Sequence, residues 1–187
     1  YLSDHRLWPL LPLDAVRPSV RPELRHRQVA ISASQMRLRS VATEVLEQFD
    51  AEGIESRVLK GLATGELDYP NYLLRHTGDV DLAVRPERLD DAVRVLRGHG
   101  YGDRYERFSP YLSYGCTLEA PNGVEVDLHA RLSRRSPLGD RLFQDLGEPL
   151  SMLPGYALPT AHRLVHASGH FMISPPGTRR LSGLFDI

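Results

Sequence analysis

Cysteine occurs once in the 187 residues, at Cys116. A lone cysteine excludes an intrachain disulfide and a cysteine-rich zinc module, and it fits a reducing compartment. No apolar run approaches the roughly 20 residues that a bilayer-spanning helix needs. Tyr1 to His5 also lack the basic region and apolar stretch of a secretory leader, so the expected location is the cytoplasm. Neither sign of charge is in excess. The formal net charge of -1 argues against broad electrostatic capture of nucleic acid. Lysine is the most telling scarcity: Lys60 is the only one among 23 basic residues. Arginine supplies the generic positive surface, which leaves a compact, three-donor ammonium at a single place.

What is present is the composition of a globular protein. Hydrophobic residues make up 41% and charged residues 25%, and 187 residues suit one domain, or one domain plus part of another, with a real core. No internal repeat or low-complexity tract interrupts it.

The most informative stretch is Gly78-Asp79-Val80-Asp81-Leu82-Ala83-Val84. It reads as a strand, and alternation across a strand sends Asp79 and Asp81 to the same face. Adjacent like charges repel and raise each other's pKa unless a cation or basic group lies between them. The pair therefore calls for a positive partner and a further ligand.

Ahead of it, four prolines in residues 1–24 break any long element and predict an N-terminal arm. From about Arg25 to Asp50, Leu38, Val41, Ala42, Val45, Leu46 and Phe49 form a helical stripe, with Gly53 as the stop. Ser56 to Leu59 is a short strand that runs into Lys60-Gly61 and a helix. Such a turn leaves backbone N–H groups free where a phosphate can bind. Tyr72 to His76 reads as a short helical segment or loop. Arg75 within it is either a structural ion-pair partner or a clamp for phosphate or an acid.

After the acidic strand, Pro86 opens a helix with Leu89, Ala92, Val93 and Leu96 on one side. Tyr101 to Phe108 and Leu112 to Glu119 are strand candidates, and Pro121-Asn122-Gly123 signals a hairpin. The strand leaving it, Val124 to His129, places Glu125, Asp127 and His129 on one face and its apolar residues on the other. Beside the first acidic strand, it would bring Asp79, Asp81 and Asp127 to one site for hard divalent cations.

Residues 131–158 read as a connector, with a short helix near Gly139 to Leu146. Thr160 caps a helix to about Ile173 that carries His162, His166 and His170 at four-residue steps. The outer two are about 12 Å apart at ~1.5 Å rise per residue, so all three cannot hold one ion. Packing or cleft lining suits them better. Leu181 to Ile187 has the pattern of a helix that starts as the sequence stops. The expected division is an arm at 1–24, a main domain at 25–158 and, at 159–187, the start of a helical region that continues further. The order of elements predicts an α+β fold, a small mixed β-sheet flanked by helices.

Leu59-Lys60-Gly61, Tyr69-Pro70, Arg75 with Gly78 to Val84, and Val126-Asp127-Leu128-His129 together resemble the uncharacterised nucleotidyltransferase family of the DNA polymerase β-like superfamily. The resemblance spans roughly residues 25 to 187. It implies the polymerase β-like nucleotidyltransferase fold and Mg²⁺-dependent (or Mn²⁺-dependent) transfer of a nucleoside monophosphate from an NTP, with release of pyrophosphate. Asp79, Asp81 and Asp127 would be the catalytic metal ligands. Lys60, Gly61, Arg75 and Gly78 would take the nucleotide phosphates, and Tyr69, His129 and His166 would line the cleft. Gly61 is followed by Leu62 rather than by serine or a second glycine, so phosphate binding would rest on backbone amides, Lys60 and Arg75. Small molecules or peptides are the favoured acceptors, since neither net charge nor an aromatic platform points to long nucleic acid. Two alternatives stay open from the residues: a non-catalytic nucleotide- or partner-binding domain of this fold, and a metal-dependent hydrolase using the same acids.

Overall fold

The computed structural model describes residues 6–104, 115–131, 142–173 and 186. The elements in chain order are α1 (Arg21–Ala51), β1 (Ser56–Val58), α2 (Lys60–Leu67), β2 (Val80–Val84), α3 (Leu89–Gly98), β3 (Gly102–Asp103), β4 (Gly115–Glu119), β5 (Glu125–His129), β6 (Glu148–Pro149), β7 (Tyr156–Ala157) and α4 (Thr160–Ile173). This is the expected α+β class.

Helix α1 starts a turn earlier than its apolar stripe suggests, because Pro22 suits the first turn of a helix. It stops at Gly53, whose φ of 61° lets the Ile54 N–H reach back to the Phe49 carbonyl at 2.8 Å. Phe49 and Ile54 are both buried, which adds the apolar contact that usually seals such an end. Ahead of α1, three single 3₁₀ turns lie along the helix. Gln28 Nε2 holds the first of them, Trp8–Leu10, by donating to the Trp8 and Leu11 carbonyls at 3.1 and 2.8 Å.

The seven strands form one mixed sheet in the order β3-β4-β5-β2-β1-β7-β6. β2 and β5 are parallel neighbours at its centre, β4 pairs antiparallel with β5, and β1 pairs antiparallel with β2. Val58, Val80, Leu82, Val84, Leu118, Val126 and Leu128 bury one face against α1 and α3. That burial is the main source of stability, at about 1.5–3 kcal/mol per large side chain. The other face carries a small cluster of Leu59, Ala83, Leu142, Phe143 and Leu158, together with polar residues.

Part of the connector differs from expectation. Within its described residues, 142–145 form a turn rather than a helix, and β6 and β7 add two strands to the sheet edge. Strands two residues long carry no periodicity to read, and Pro149 is tolerated because β6 is the edge strand. The strand expected at 101–108 is seen as Gly102–Asp103, residues 105–114 lying outside the described set. The terminal pattern at 181–187 also lies outside it except for Asp186.

Candidate active site

Asp81 and Asp127 face each other in register across the β2–β5 pair. Residues paired across neighbouring strands share a face, so both carboxylates lie opposite the main core. The same register places His129 beside Ala83 and, through β4, Thr117 beside Asp127. The Thr117 Oγ1 hydroxyl donates to Asp127 Oδ1 at 2.5 Å, which orients that carboxylate. His129 Nε2 lies 2.8 Å from Asp81 Oδ1. Alternation explains why β5 gives this: Val126 and Leu128 are buried below the sheet while Glu125, Asp127 and His129 are half-buried above it.

Lys60 enters from the turn between β1 and α2. The Leu59 N–H donates to the Asp81 carbonyl at 2.9 Å, so the turn is tied to β2 by its backbone. Lys60 itself has a φ of 44°, in the left-handed region that side chains seldom adopt. Its neighbour has to be glycine, since a Cβ on Gly61 would meet Thr77 Oγ1 at 2.1 Å. From this elbow Lys60 Nζ forms an ion pair with Asp81 Oδ1 and comes within 3.5 Å of His129 Nε2.

Asp81 is 2% exposed. Burial opposes its charge, but the hydrogen bond from His129 and the Lys60 ammonium outweigh burial and hold it well below the usual carboxylate range. Asp79 lies just ahead of β2 and half-buried. Burial, and next the charge of Asp81, push its pKa up, with Asp127 adding to that and Lys60 and Arg6 opposing it. The influence of Asp81 and Asp127 on Asp79 puts it in their locality, although Asp81, Asp127 and His129 form the tight group.

Those three fit a divalent cation. Each offers a ligand atom, and the atoms lie within 4.8 Å of one another. Carboxylate oxygens suit Mg²⁺ and Mn²⁺, and an imidazole nitrogen is better matched to the softer of the two. Asp79 is outside this group.

The remaining expected residues are placed less centrally. Gly78 is exposed and lies beside Arg6, whose Nη2 would be 3.2 Å from a Cβ there. Arg75 grips Asp186 with both arms of its guanidinium, Nε to Oδ1 and Nη2 to Oδ2, each at 2.6 Å. The Tyr69 hydroxyl donates to the same Oδ1 at 3.0 Å, and burial together with Asp186 pushes its pKa up. In this structure Arg75 and Tyr69 thus hold the C-terminal Asp186.

Helix α4 packs along α2 and is pinned by Arg163, which donates to Asp68 at 3.1 and 2.6 Å and to the Leu158 carbonyl at 2.8 Å. So fixed, α4 brings His166 and His170 within electrostatic reach of Lys60, Asp81 and His129. Burial, then the positive charges of Lys60 and His129, lower the His166 pKa to about 4.

Two contacts escaped the sequence reading. Thr117 was findable, since counting back from the Pro121-Asn122-Gly123 turn pairs it with Asp127. The hold of Lys60 on Asp81 was not, because it depends on how the β1–α2 elbow is aimed.

A family model described as "Uncharacterised nucleotidyltransferase" matches residues 5–187. No curated protein matches the sequence. Among solved structures, the fold is similar to that of the antibiotic-resistance factor ANT(2'')-Ia, determined in solution and described as having substrate-regulated conformation dynamics. The TM-score is 0.55 at 16% identity, over 76% of this chain and 78% of that one. At such an identity the likeness is one of fold.

Proposed function

The chain belongs to the uncharacterised nucleotidyltransferase family, and from that premise we propose that it transfers a nucleoside monophosphate from an NTP to a small molecule or peptide, with Mg²⁺ or Mn²⁺, releasing pyrophosphate. The observation that carries this reading is the in-register placement of Asp81 and Asp127 on adjacent parallel strands, with His129 completing a donor set within 4.8 Å.

Phosphoryl transfer depends on in-line positioning and charge neutralisation rather than on covalent chemistry by the protein. Bound divalent cations supply that neutralisation and polarise the reacting oxygens. Asp81 and Asp127, with Asp79 beside them, are the residues to hold the ions. Thr117 keeps Asp127 turned toward the site. In this reading Lys60 and the N–H groups around Gly61 at the start of α2 take the phosphates, with Gly78 and the neighbouring Arg6 beside them. Arg75 joins them where Asp186 yields it. The acceptor oxygen then bonds to the α-phosphorus as the bond to the bridging oxygen breaks and pyrophosphate leaves.

The near-neutral net charge favours small acceptors over long nucleic acid. Within this reading residues 25–158 are the nucleotidyltransferase domain, 1–24 an arm and 159–187 the start of a helical region. No helix among the described residues is long and apolar enough to cross a membrane, and the lone cysteine favours the cytoplasm.

The test is a mass-shift screen of the four NTPs with Mg²⁺ against small-molecule and peptide acceptors. The expected result is an acceptor heavier by one nucleoside monophosphate, absent with Asp81→Asn. An acceptor modified equally by that variant would overturn the assignment.

A further inference from the structure

We propose that Lys60 is a built-in stand-in for the metal: its ammonium neutralises Asp81 in the free protein and passes from carboxylate to phosphate when a divalent ion and a polyphosphate arrive, so that the two load cooperatively. The proposal rests on the reading that Asp81, Asp127 and His129 hold a cation.

Three observations converge on it. The first is the backbone. Residue 60 has a φ of 44°, where glycine is the low-strain choice. Lysine stands there instead, in a chain whose other Lys/Arg positions are all arginine. A strained position filled by the protein's single lysine is one where the side chain is needed. Arginine would bring a rigid fork, whereas lysine ends in a compact point charge on a flexible stem, which can exchange one anion for another.

The second is the choice of oxygen. Lys60 Nζ and His129 Nε2 both engage Oδ1 of Asp81, the residue that a cation must share with Asp127. A cation taking Oδ1 would therefore compete with Lys60 directly. Were Lys60 to stay, a divalent ion would sit against an ammonium at a carboxylate largely shielded from water, where like charges repel more strongly than in bulk solvent.

The third is mobility of the right part. The turn is fixed by the Leu59 N–H to Asp81 carbonyl bond and by the packing of Gly61 on Thr77. The Lys60 side chain is 24% exposed while that of Asp81 is 2% exposed. The carboxylate stays put and the ammonium can move outward. A polyphosphate gives it a new partner, and this is what makes the two bindings favour each other.

Calorimetry of Mn²⁺ binding tests this, with and without inorganic tripolyphosphate, the part common to all NTPs. Lys60→Met keeps the stem and removes the charge. Alone, Mn²⁺ should bind the variant about tenfold more tightly than the wild type, and saturating tripolyphosphate should tighten Mn²⁺ binding about tenfold in the wild type and far less in the variant, within the usual span of such couplings. Equal Mn²⁺ affinities, with binding abolished in Asp127→Asn, would sink the stand-in role and leave the metal site intact. Mn²⁺ binding undiminished in Asp127→Asn would overturn both readings.

A second measurement needs no variant. Because Lys60 is the only lysine, acylation of its amine is read from one peptide mass. Labelling should be slow in the free protein, faster with Mn²⁺ and slow again with Mn²⁺ and tripolyphosphate. A rate unmoved by saturating Mn²⁺ overturns the proposal.

Discussion

Two carboxylates near the start of this fold are both held by basic side chains, and they are held in opposite ways. Glu66 on α2 is saturated: Oε2 accepts from Arg39 Nη1 at 2.9 Å, and Oε1 accepts from the Ser151 and Met152 N–H groups at 2.5 and 2.8 Å. Burial works against the ionised form, and the Met152 N–H, Arg39 and the Ser151 N–H outweigh burial and hold its pKa down. Asp81 takes both Lys60 and His129 on a single oxygen and has two more acids, Asp79 and Asp127, in its field. One centre joins α1, α2 and the loop before β7 and has nothing left to bind. The other concentrates negative charge that an incoming cation would relieve. In the proposed reading, that electrostatic imbalance is what separates a cation site from a staple.

Exchanging each carboxylate for its amide is the sharpest way to break that contrast. Asp81→Asn should lower nucleotidyl transfer per folded molecule roughly 10²–10³-fold, as loss of one preorganised electrostatic group commonly does, while circular dichroism still reports a folded protein. Glu66→Gln should do the reverse. Removing one partner of a buried pair should cost about 3 kcal/mol in urea denaturation, with activity per folded molecule kept within a few-fold. If Glu66→Gln lost activity as steeply as Asp81→Asn, the distinction between staple and site would collapse.

Gly61→Ala probes the ground between them, because it touches packing and the Lys60 elbow at once. Its Cβ would lie 2.1 Å from Thr77 Oγ1 and 2.4 Å from Thr77 Cβ, and Thr77 is buried. The overlap should cost about 2 kcal/mol, and the displaced elbow should weaken Mn²⁺-tripolyphosphate binding as well. Stability lost without any change in that binding would mean that Lys60 does not depend on the elbow for its aim.

The fold was legible wherever residues repeat at a fixed period. The α1 stripe from Leu38 to Phe49, the alternation of β5 and the turn at Pro121 to Gly123 each follow from local rules, and each is found. β6 and β7 were not legible, because two residues show no period and their pairing depends on β1 being next to them. The alternation argument treated Asp79 and Asp81 as equals. Yet Asp79 lies just outside the paired part of β2, and the tight donor group forms around Asp81, Asp127 and His129. Arg75 shows a further limit: its partner Asp186 is 111 residues away, a contact that no local pattern signals. Local chemistry thus identified β1, β2, β4 and β5 and the faces their acids share, while the basic partner of each acid was decided by tertiary contacts.

The smallest effect tests the surroundings of the Asp81 centre through pH. The His166 pKa is lowered to about 4 in the folded protein, by burial first and then by Lys60 and His129, against an ordinary value of about 6.5. Between those two values the unfolded chain holds a proton that the folded one does not. Stability must therefore rise with pH across this window and fall as pH drops from about 6.5 toward 4, with a slope of at most ~1.4 kcal/mol per pH unit for one group. Asp79 acts in the opposite sense: its pKa is raised, so it favours the folded state as pH falls toward its ordinary range. The two are separated by comparing the wild type with His166→Gln in urea titrations from pH 7 to pH 5. The wild type should lose more stability over that interval than the variant, and parallel curves would mean that His166 is not held neutral against the charged centre. At Glu66, whose shift is set chiefly by burial, the Met152 and Ser151 N–H groups and Arg39, the same titration of Glu66→Gln should run parallel to the wild type.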